Sequence, residues 1–277
     1  MDLALERFPP QVRIETTNAC NSKCTICRHR VMQRPIRQMD EALFTHVVDE
    51  CVAWGCSEIH LHNFGEPLLD SRLEDRIRYA KRKGVATVKI FSNGSLLDET
   101  RARGLIEAGL DEIKISFDGA CKEEFEQIRV PLKFDLVMDN IARLVELRDR
   151  LSSPMKIFVT CCSTSDKRGT MDVLARRVDG LVFAKIHNWT SQTSGNGQHG
   201  VRKPCARLWR TLTILANGDV ALCCLDYDGQ QLLGHVDPGT SLREIWRSAA
   251  YQEARQRHKD ARQCEIGLCN GCSKSFL

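Results

Sequence analysis

The sequence predicts an α/β protein whose first two-thirds form a parallel sheet covered by helices, followed by a small module of different character. Three observations carry this prediction. Apolar strand-like segments alternate with amphipathic helical ones, and polar or glycine-rich turns follow the strands. After residue 204 the pattern changes to a hairpin, a helix and a cysteine-rich tail.

The candidate strands are Val12–Thr16, Glu58–Asn63, Val85–Phe91, Glu112–Phe117, Met155–Cys161 and Gly180–His187. Helical periodicity runs through Asp40–Ala53, Arg72–Arg82, Glu99–Ala108, Phe134–Arg148 and Gly169–Val178, with Gly55, Gly84 and Gly109 where helices should end. Six β/α units in series imply an open doubly wound sheet or a partial (β/α)6 barrel of the TIM type, and either places the chemistry at the carboxyl ends of the strands. A cysteine triplet follows the first strand, Phe64-Gly65-Glu66-Pro67 the second, Ser92-Asn93-Gly94 the third and Asp118-Gly119 the fourth. These turns should meet on one rim.

The barrel is expected over residues 1–190. A linker should occupy 191–204, where SQTSGNGQHG lacks apolar periodicity, and a second module 205–277. In that module Thr211–Ala216 and Val220–Leu225 flank Asn217-Gly218, a hairpin signal, and Ser241-x-x-Glu244 reads as a capping box opening a helix that runs to about His258.

Of the 277 residues, 42% are hydrophobic and 27% charged, which suits a chain with a substantial core. A net charge of +4, evenly spread, does not point to nucleic acid. There is no apolar run of about 18 residues, and the start MDLALERFPP lacks a basic-then-apolar order, so a cytoplasmic protein without membrane partners is expected. Fourteen cysteines stand out. In a cytosolic chain they point to metal or catalysis rather than to disulfides.

Cys20, Cys24 and Cys27 are spaced Cys-x3-Cys-x2-Cys in one loop. Three such thiolates can each take one iron of a cubane [4Fe–4S] cluster and leave the fourth iron open as a binding site. The alternative is zinc, which wants a closed fourth ligand; His29 lies two residues on.

At these residues the sequence resembles the radical S-adenosylmethionine (SAM) superfamily. The resemblance implies a partial (β/α)6 TIM-like barrel, with SAM bound through its amino and carboxylate groups at the open iron and cleaved to a 5′-deoxyadenosyl radical. Phe64-Gly65-Glu66-Pro67 is similar to the family's Gly-Gly-Glu segment, with Phe64 in place of the first glycine, so Gly65 and Glu66 are implied partners of the methionine ammonium. Ser92, Asn93, Ser116 and Asp118 match further cofactor contacts, and Arg129 is a candidate for the methionine carboxylate. The family's usual aromatic residue before the third cysteine is here Ile26.

Cys205, then Gly218 and Cys223 around the hairpin, and Cys269-x2-Cys272 in the tail can supply four thiolates, enough for a second, fully ligated [4Fe–4S] cluster or for a zinc ribbon. The pattern resembles the twitch module, the short form of the SPASM extension. Cys224 and Cys264 are alternative ligands.

Among the remaining cysteines, one of Cys161, Cys162, Cys224 and Cys264 could return a hydrogen atom to a substrate radical. Cys161 and Cys162 end a strand with side chains on opposite faces, so at most one should face substrate. The resemblance extends to dehydrogenases and epimerases of aminocyclitols and aminoglycosides. It implies a small sugar-like substrate, an external reductant such as flavodoxin or ferredoxin, and hydrogen abstraction from a carbinol carbon. Asp226 and Asp228 could meet substrate amines or hydroxyls. Peptide modification is the next enzymatic alternative, and a non-catalytic metal-binding interaction protein the remaining one.

Overall fold

A computed structural model describes residues 7–174, 177–190 and 202–273. The linker expected at 191–204 lies outside them except for its last three positions. Nine strands form one sheet. Counting strands and α-helices in chain order, the spatial order is β6-β5-β4-β3-β2-β1-β7-β8-β9.

The parallel part is β1 (Gln11–Ile14), β2 (Glu58–His60), β3 (Thr87–Ser92), β4 (Glu112–Ser116), β5 (Lys156–Cys161) and β6 (Gly180–Phe183). All six match the expected strands, most of them trimmed at one or both ends. Between them lie α1 (Glu41–Ala53), α2 (Leu73–Arg82), α3 (Glu99–Glu107), α4 (Lys122–Ile128), α5 (Phe134–Arg150) and α6 (Lys167–Leu174). The short α4 carries no apolar stripe and was not expected. Gly55, Gly84 and Gly109 all take positive φ after their helices. This is the partial TIM-type barrel that the sequence predicts.

Period-2 alternation sorts the two faces of the sheet. Val12, Ile14, Val88, Ile90, Ile113, Ile115, Ile157 and Val159 are buried beneath the helices. The inner face is polar. Near the amino ends of the strands Glu58, Lys89, Glu112 and Lys114 form a ladder of ion pairs, at 2.9 Å (Lys89–Glu58), 3.3 Å (Lys89–Glu112) and 3.1 Å (Lys114–Glu112).

The C-terminal module is not detached from the barrel. β7 (Thr211–Ile214) follows the single turn α7 (Arg207–Arg210) and pairs in parallel with β1, and β8 (Asp219–Ala221) and β9 (Leu232–His235) continue antiparallel. The helix expected from Ser241 to His258 is two helices, α8 (Leu242–Trp246) and α9 (Ala249–Lys259). Ser248 breaks the run, because its hydroxyl accepts the Tyr251 N–H and caps α9. Ser241 makes no capping bond; Glu50 of α1 takes the Leu242 N–H at 2.9 Å instead. Among the described residues no helix is long and apolar enough to cross a membrane.

Glu15, fully buried at the carboxyl end of β1, joins the parts. Arg34 from the triplet loop meets it at 2.8 and 3.0 Å, the Asn63 amide and Phe64 N–H from the β2 loop at 3.2 Å each, and the Ala216 N–H from the hairpin at 3.2 Å. Removing one partner of a buried, hydrogen-bonded pair leaves the other charge desolvated. Glu15→Ala should therefore cost about 3–5 kcal/mol, read as a lowered urea midpoint. A loss under about 1 kcal/mol would contradict this role.

Candidate active site

The carboxyl ends of β1 to β4 open on a cavity of about 440 Å³ that extends to the hairpin. Cys20, Cys24 and Cys27 rim it, with Gly65, Glu66, Ser92, Asn93, Ser116 and Arg129 in its wall. Every expected cofactor-binding residue except Asp118 is thus brought together. Asp118 is fully buried behind Arg129; one carboxylate oxygen accepts the N–H groups of Cys162 and Ser163 at 2.6 and 2.5 Å, and the other bonds Arg129. It positions the arginine instead of facing the cavity.

Glu66 occupies a cradle made by the β3 loop. Its oxygens accept the Ser92 hydroxyl and the Asn93 N–H at 2.7 Å each, and the Leu68 N–H at 3.1 Å. Burial outweighs these bonds and raises its pKa to about 7. Arg129 brings its guanidinium within 3.8 Å of Cys24 Sγ. Burial opposes that charge, yet Asp118 and Cys24 raise the Arg129 pKa overall.

Gly65 has φ of +133° and runs against the triplet loop; a Cβ there would lie 2.5 Å from the Thr17 carbonyl oxygen and 2.9 Å from that of Ala19. The Glu66 N–H bonds the Ala19 carbonyl oxygen at 2.7 Å across the same contact. Phe64, where the family pattern has glycine, is buried against Trp189 and Tyr227, with ring centroids 5.3 and 5.6 Å away. The Trp189 indole N–H donates to the Ile26 carbonyl oxygen at 3.0 Å, so an aromatic ring stands over the triplet loop although residue 26 is aliphatic. His29 Nε2 lies 2.7 Å from the Asn18 carbonyl oxygen, which engages it away from a ligand role.

Cys205, Cys223, Cys269 and Cys272 line one small apolar cavity with His258. His258 Nδ1 accepts the Cys205 N–H at 3.2 Å, so the neutral ring carries its proton on Nε2, 3.4 Å from Cys269 Sγ. Arg207 reaches Cys223 Sγ at 3.6 Å. Among the described residues no three His, Cys, Asp or Glu side chains gather closely enough to hold one metal ion. Both thiol sets fit a multi-iron group, which takes its thiolates at separate irons, and the triplet opens on space for a further ligand.

Of the candidate hydrogen donors, only Cys224 lines the main cavity. Cys161 faces the helix layer, and burial raises its thiol pKa to about 11. Cys162 is half-buried outside the cavity wall, and Cys264 is exposed. Asp226 turns into its own loop, accepting the Gln230 and Gln231 N–H groups at 2.8 and 2.9 Å, while Asp228 accepts the Gln33 N–H. Neither faces the cavity. Sequence reasoning missed Trp189, which stands over the triplet loop, and Arg13, His62, His187 and Arg207, which also line the cavity. The alternation of β1 and β7 marks an inner face but not which polar residues reach a cavity.

Residues 14–168 match the family model of the radical SAM superfamily, and the chain belongs to that superfamily. Residues 205–273 match SPASM, an iron–sulfur cluster-binding domain. It is accordingly a radical SAM enzyme that uses SAM and a [4Fe–4S] cluster, with additional cluster binding in its C-terminal part.

A SAM-dependent 2-deoxy-scyllo-inosamine dehydrogenase of Niallia circulans is 22% identical over 97% of this chain and 94% of its own length. A GTP 3′,8-cyclase of Chlorobaculum tepidum is 34% identical over 48% of this chain, and a PqqA peptide cyclase of Gluconobacter oxydans 28% identical over 46%. The chain spans only 40% and 35% of those two. In fold it resembles BtrN in complex with AdoMet and 2-DOIA (TM-score 0.70, 18% identity, 97% of this chain and 94% of that one). It also resembles Streptococcus suis SuiB bound to a precursor peptide (TM-score 0.74, 13% identity, 98% and 72%).

The contact at Gly65 yields a direct test. A side chain there combines a disfavoured φ, costing about 1–3 kcal/mol, with a backbone clash. Gly65→Ala should lower the iron retained after anaerobic reconstitution, by moving the triplet loop. Full iron content with unchanged melting would count against that packing.

Proposed function

We propose that this enzyme takes a hydrogen atom from a carbinol carbon of a small sugar-like molecule, a sugar, aminocyclitol or aminoglycoside, and either oxidises that carbon to a ketone or inverts it. The observation that carries the reading is a single cavity running from the triplet to Cys224, beside the auxiliary thiols. The dehydrogenase relative, matched over nearly its whole length, supports it. Peptide modification has weaker support, since the chain spans about a third of the peptide cyclase. Family membership removes the non-catalytic alternative.

In this reading Cys20, Cys24 and Cys27 hold the reactive cluster and Cys205, Cys223, Cys269 and Cys272 the auxiliary one. Bound SAM supplies the 5′-deoxyadenosyl radical, its electron coming from an external flavodoxin or ferredoxin in the cytosol. Glu66 receives the methionine ammonium and Arg129 the carboxylate. Ser92 and Asn93 hold the Glu66 carboxylate in place, and Ser116 stands beside them.

After abstraction two fates follow. For a ketone, the hydroxyl proton leaves and one electron passes to the auxiliary site. For inversion, the Cys224 thiol returns a hydrogen atom to the opposite face, and the resulting thiyl radical takes up one proton and one electron, the electron coming from the same external reductant. The place of Cys224 in the cavity wall favours this second fate.

Reaction with candidate sugars in deuterated water separates the fates. Deuterium at an inverted carbon, lost in Cys224→Ala while 5′-deoxyadenosine still forms, is the expected result for inversion; a product two electrons more oxidised means dehydrogenation. Neither product from any sugar, aminocyclitol or aminoglycoside tried would overturn the reading.

SAM binding should depend on pH. The Glu66 pKa is raised to about 7, so its carboxylate forms as pH rises through that value. An ammonium favours the carboxylate, and the ionised fraction grows roughly tenfold between about pH 6 and 8. SAM affinity should rise by a comparable factor in equilibrium binding, and Glu66→Gln should flatten the profile.

A further inference from the structure

At the end of the cavity away from the triplet, the chain's charge is one-sided. A neighbouring cavity of about 230 Å³ shares Arg13, Arg207 and Cys224 with the main one and adds Arg210. Among the described residues the only carboxylate in either wall is Glu66, which the proposed function gives to the methionine ammonium. Among the described residues Arg13, Arg207 and Arg210 form no ion pair with an acid, whereas the buried or half-buried Arg34, Arg76, Arg101, Arg129 and Arg148 do. Arg207 spends its charge on the thiol of Cys223, 3.6 Å away. Arg13 has no such outlet.

The surroundings of Arg13 are more specific than charge. Its Nη1 lies 3.2 Å from His62 Nε2. His62 is buried, with Phe91 stacked on it at 4.4 Å, and its Nδ1 accepts the Phe91 N–H at 3.1 Å. An imidazole that accepts at Nδ1 carries its proton on Nε2. A ring nitrogen of His62 also bonds the Lys89 carbonyl oxygen, so the imidazole already has its acceptor, and the Arg13 guanidinium is the donor with capacity to spare. The Nε of Arg13 is also buried without a hydrogen-bond partner. A buried cationic donor left in this state is costly, and an oxygen anion brought beside the guanidinium satisfies it.

We propose that the substrate carries an oxyanion, a phosphate or a carboxylate, and that Arg13 receives it, with Arg207 and Arg210 adding to the positive field. This deepens the sugar-like reading above and rests on it. Within that class it selects sugar phosphates, nucleotide sugars or sugar acids over aminocyclitols and aminoglycosides, whose ammonium groups find no free carboxylate in the cavity. Thr213, the register partner of Arg13 on β7, adds a hydroxyl to the same wall.

The test is equilibrium binding to the cluster-reconstituted, SAM-loaded enzyme, with inorganic phosphate, glucuronate and glucosamine as probes. Phosphate or glucuronate should bind at one saturable site, more tightly than glucosamine, and the better of the two anions assigns phosphate or carboxylate. Arg13→Gln should weaken that binding about tenfold or more, and Arg13→Lys should recover part of it. Iron content and melting report whether the variants fold. If Arg13→Gln fails to take up iron, the wild-type comparison of anions with glucosamine decides alone. No saturable anion binding, anion binding indifferent to Arg13→Gln, or tighter binding of glucosamine would each overturn the proposal. Binding needs no turnover, so this outcome is separate from that of the hydrogen-abstraction experiment.

Discussion

The Glu15 carboxylate is the constraint on which the site depends. A carboxylate with no exposure must have its lone pairs filled, and here the donors come from three different stretches of chain. Arg34 ties down the loop that bears Cys20, Cys24 and Cys27. The Phe64 N–H fixes the turn that delivers Gly65 and Glu66, and the Ala216 N–H brings in the hairpin that carries Cys223 and Cys224. One desolvated anion at the end of β1 thus sets the distance between the reactive loop and the auxiliary module. Because a buried pair contributes more to uniqueness of arrangement than to net stability, its use at this junction suits a protein that must hold two cysteine sets in register.

Much of the fold was legible because parallel strands buried under helices leave a strong pattern. Ile113-x-Ile115 and Val88-x-Ile90 alternate cleanly, and glycines mark three helix ends. The triplet and the Cys205 to Cys272 set stood out by their spacing, and each set lines one cavity. What stayed hidden depends on partners far apart in sequence. Nothing around Glu15 distinguishes it from any polar residue at a strand end. The capping box at Ser241 had the right letters, but Glu50, 191 residues earlier, reached the same N–H. Asp118 and Asp226 have the right chemistry for ligand contact and lie close to the site, yet each meets backbone N–H groups instead. A motif specifies residue types; which neighbour takes the bond is decided by packing.

The same distinction holds for the aromatic residues. Ile26 departs from the family pattern, and so does Phe64, and Trp189 bridges the two. Phe64 packs on Trp189, whose indole N–H bonds the Ile26 carbonyl oxygen. Bulk absent from one position of the triplet loop is supplied from a segment more than 160 residues away, immediately before the C-terminal module. Trp189 and Thr190 adopt left-handed backbone conformations, with φ of 45° and 62°, which non-glycine residues rarely take. Strain of this kind persists only where surroundings enforce it, and here the ring contacts and the Ile26 bond do so.

Continuity of the sheet explains why substrate chemistry and auxiliary site share one cavity. Since β7 pairs with β1 in parallel, its inner-face residues Thr211 and Thr213 extend the wall begun by Gln11 and Arg13. The hairpin then turns back at the open edge of the barrel, placing adjacent cysteines in different surroundings. Cys223 joins the apolar auxiliary cavity and Cys224 the central one, while both border the smaller cavity beside it. A one-residue step thus separates a thiol fit to ligate iron from a thiol fit to meet substrate. His258 and Arg207 sharpen the division, because each directs a donor at an auxiliary sulfur, and such hydrogen bonds raise a cluster's reduction potential. An auxiliary site tuned upward accepts an electron more readily, which serves oxidation to a ketone, whereas inversion needs an electron delivered to the Cys224 thiyl radical and gains nothing from that tuning.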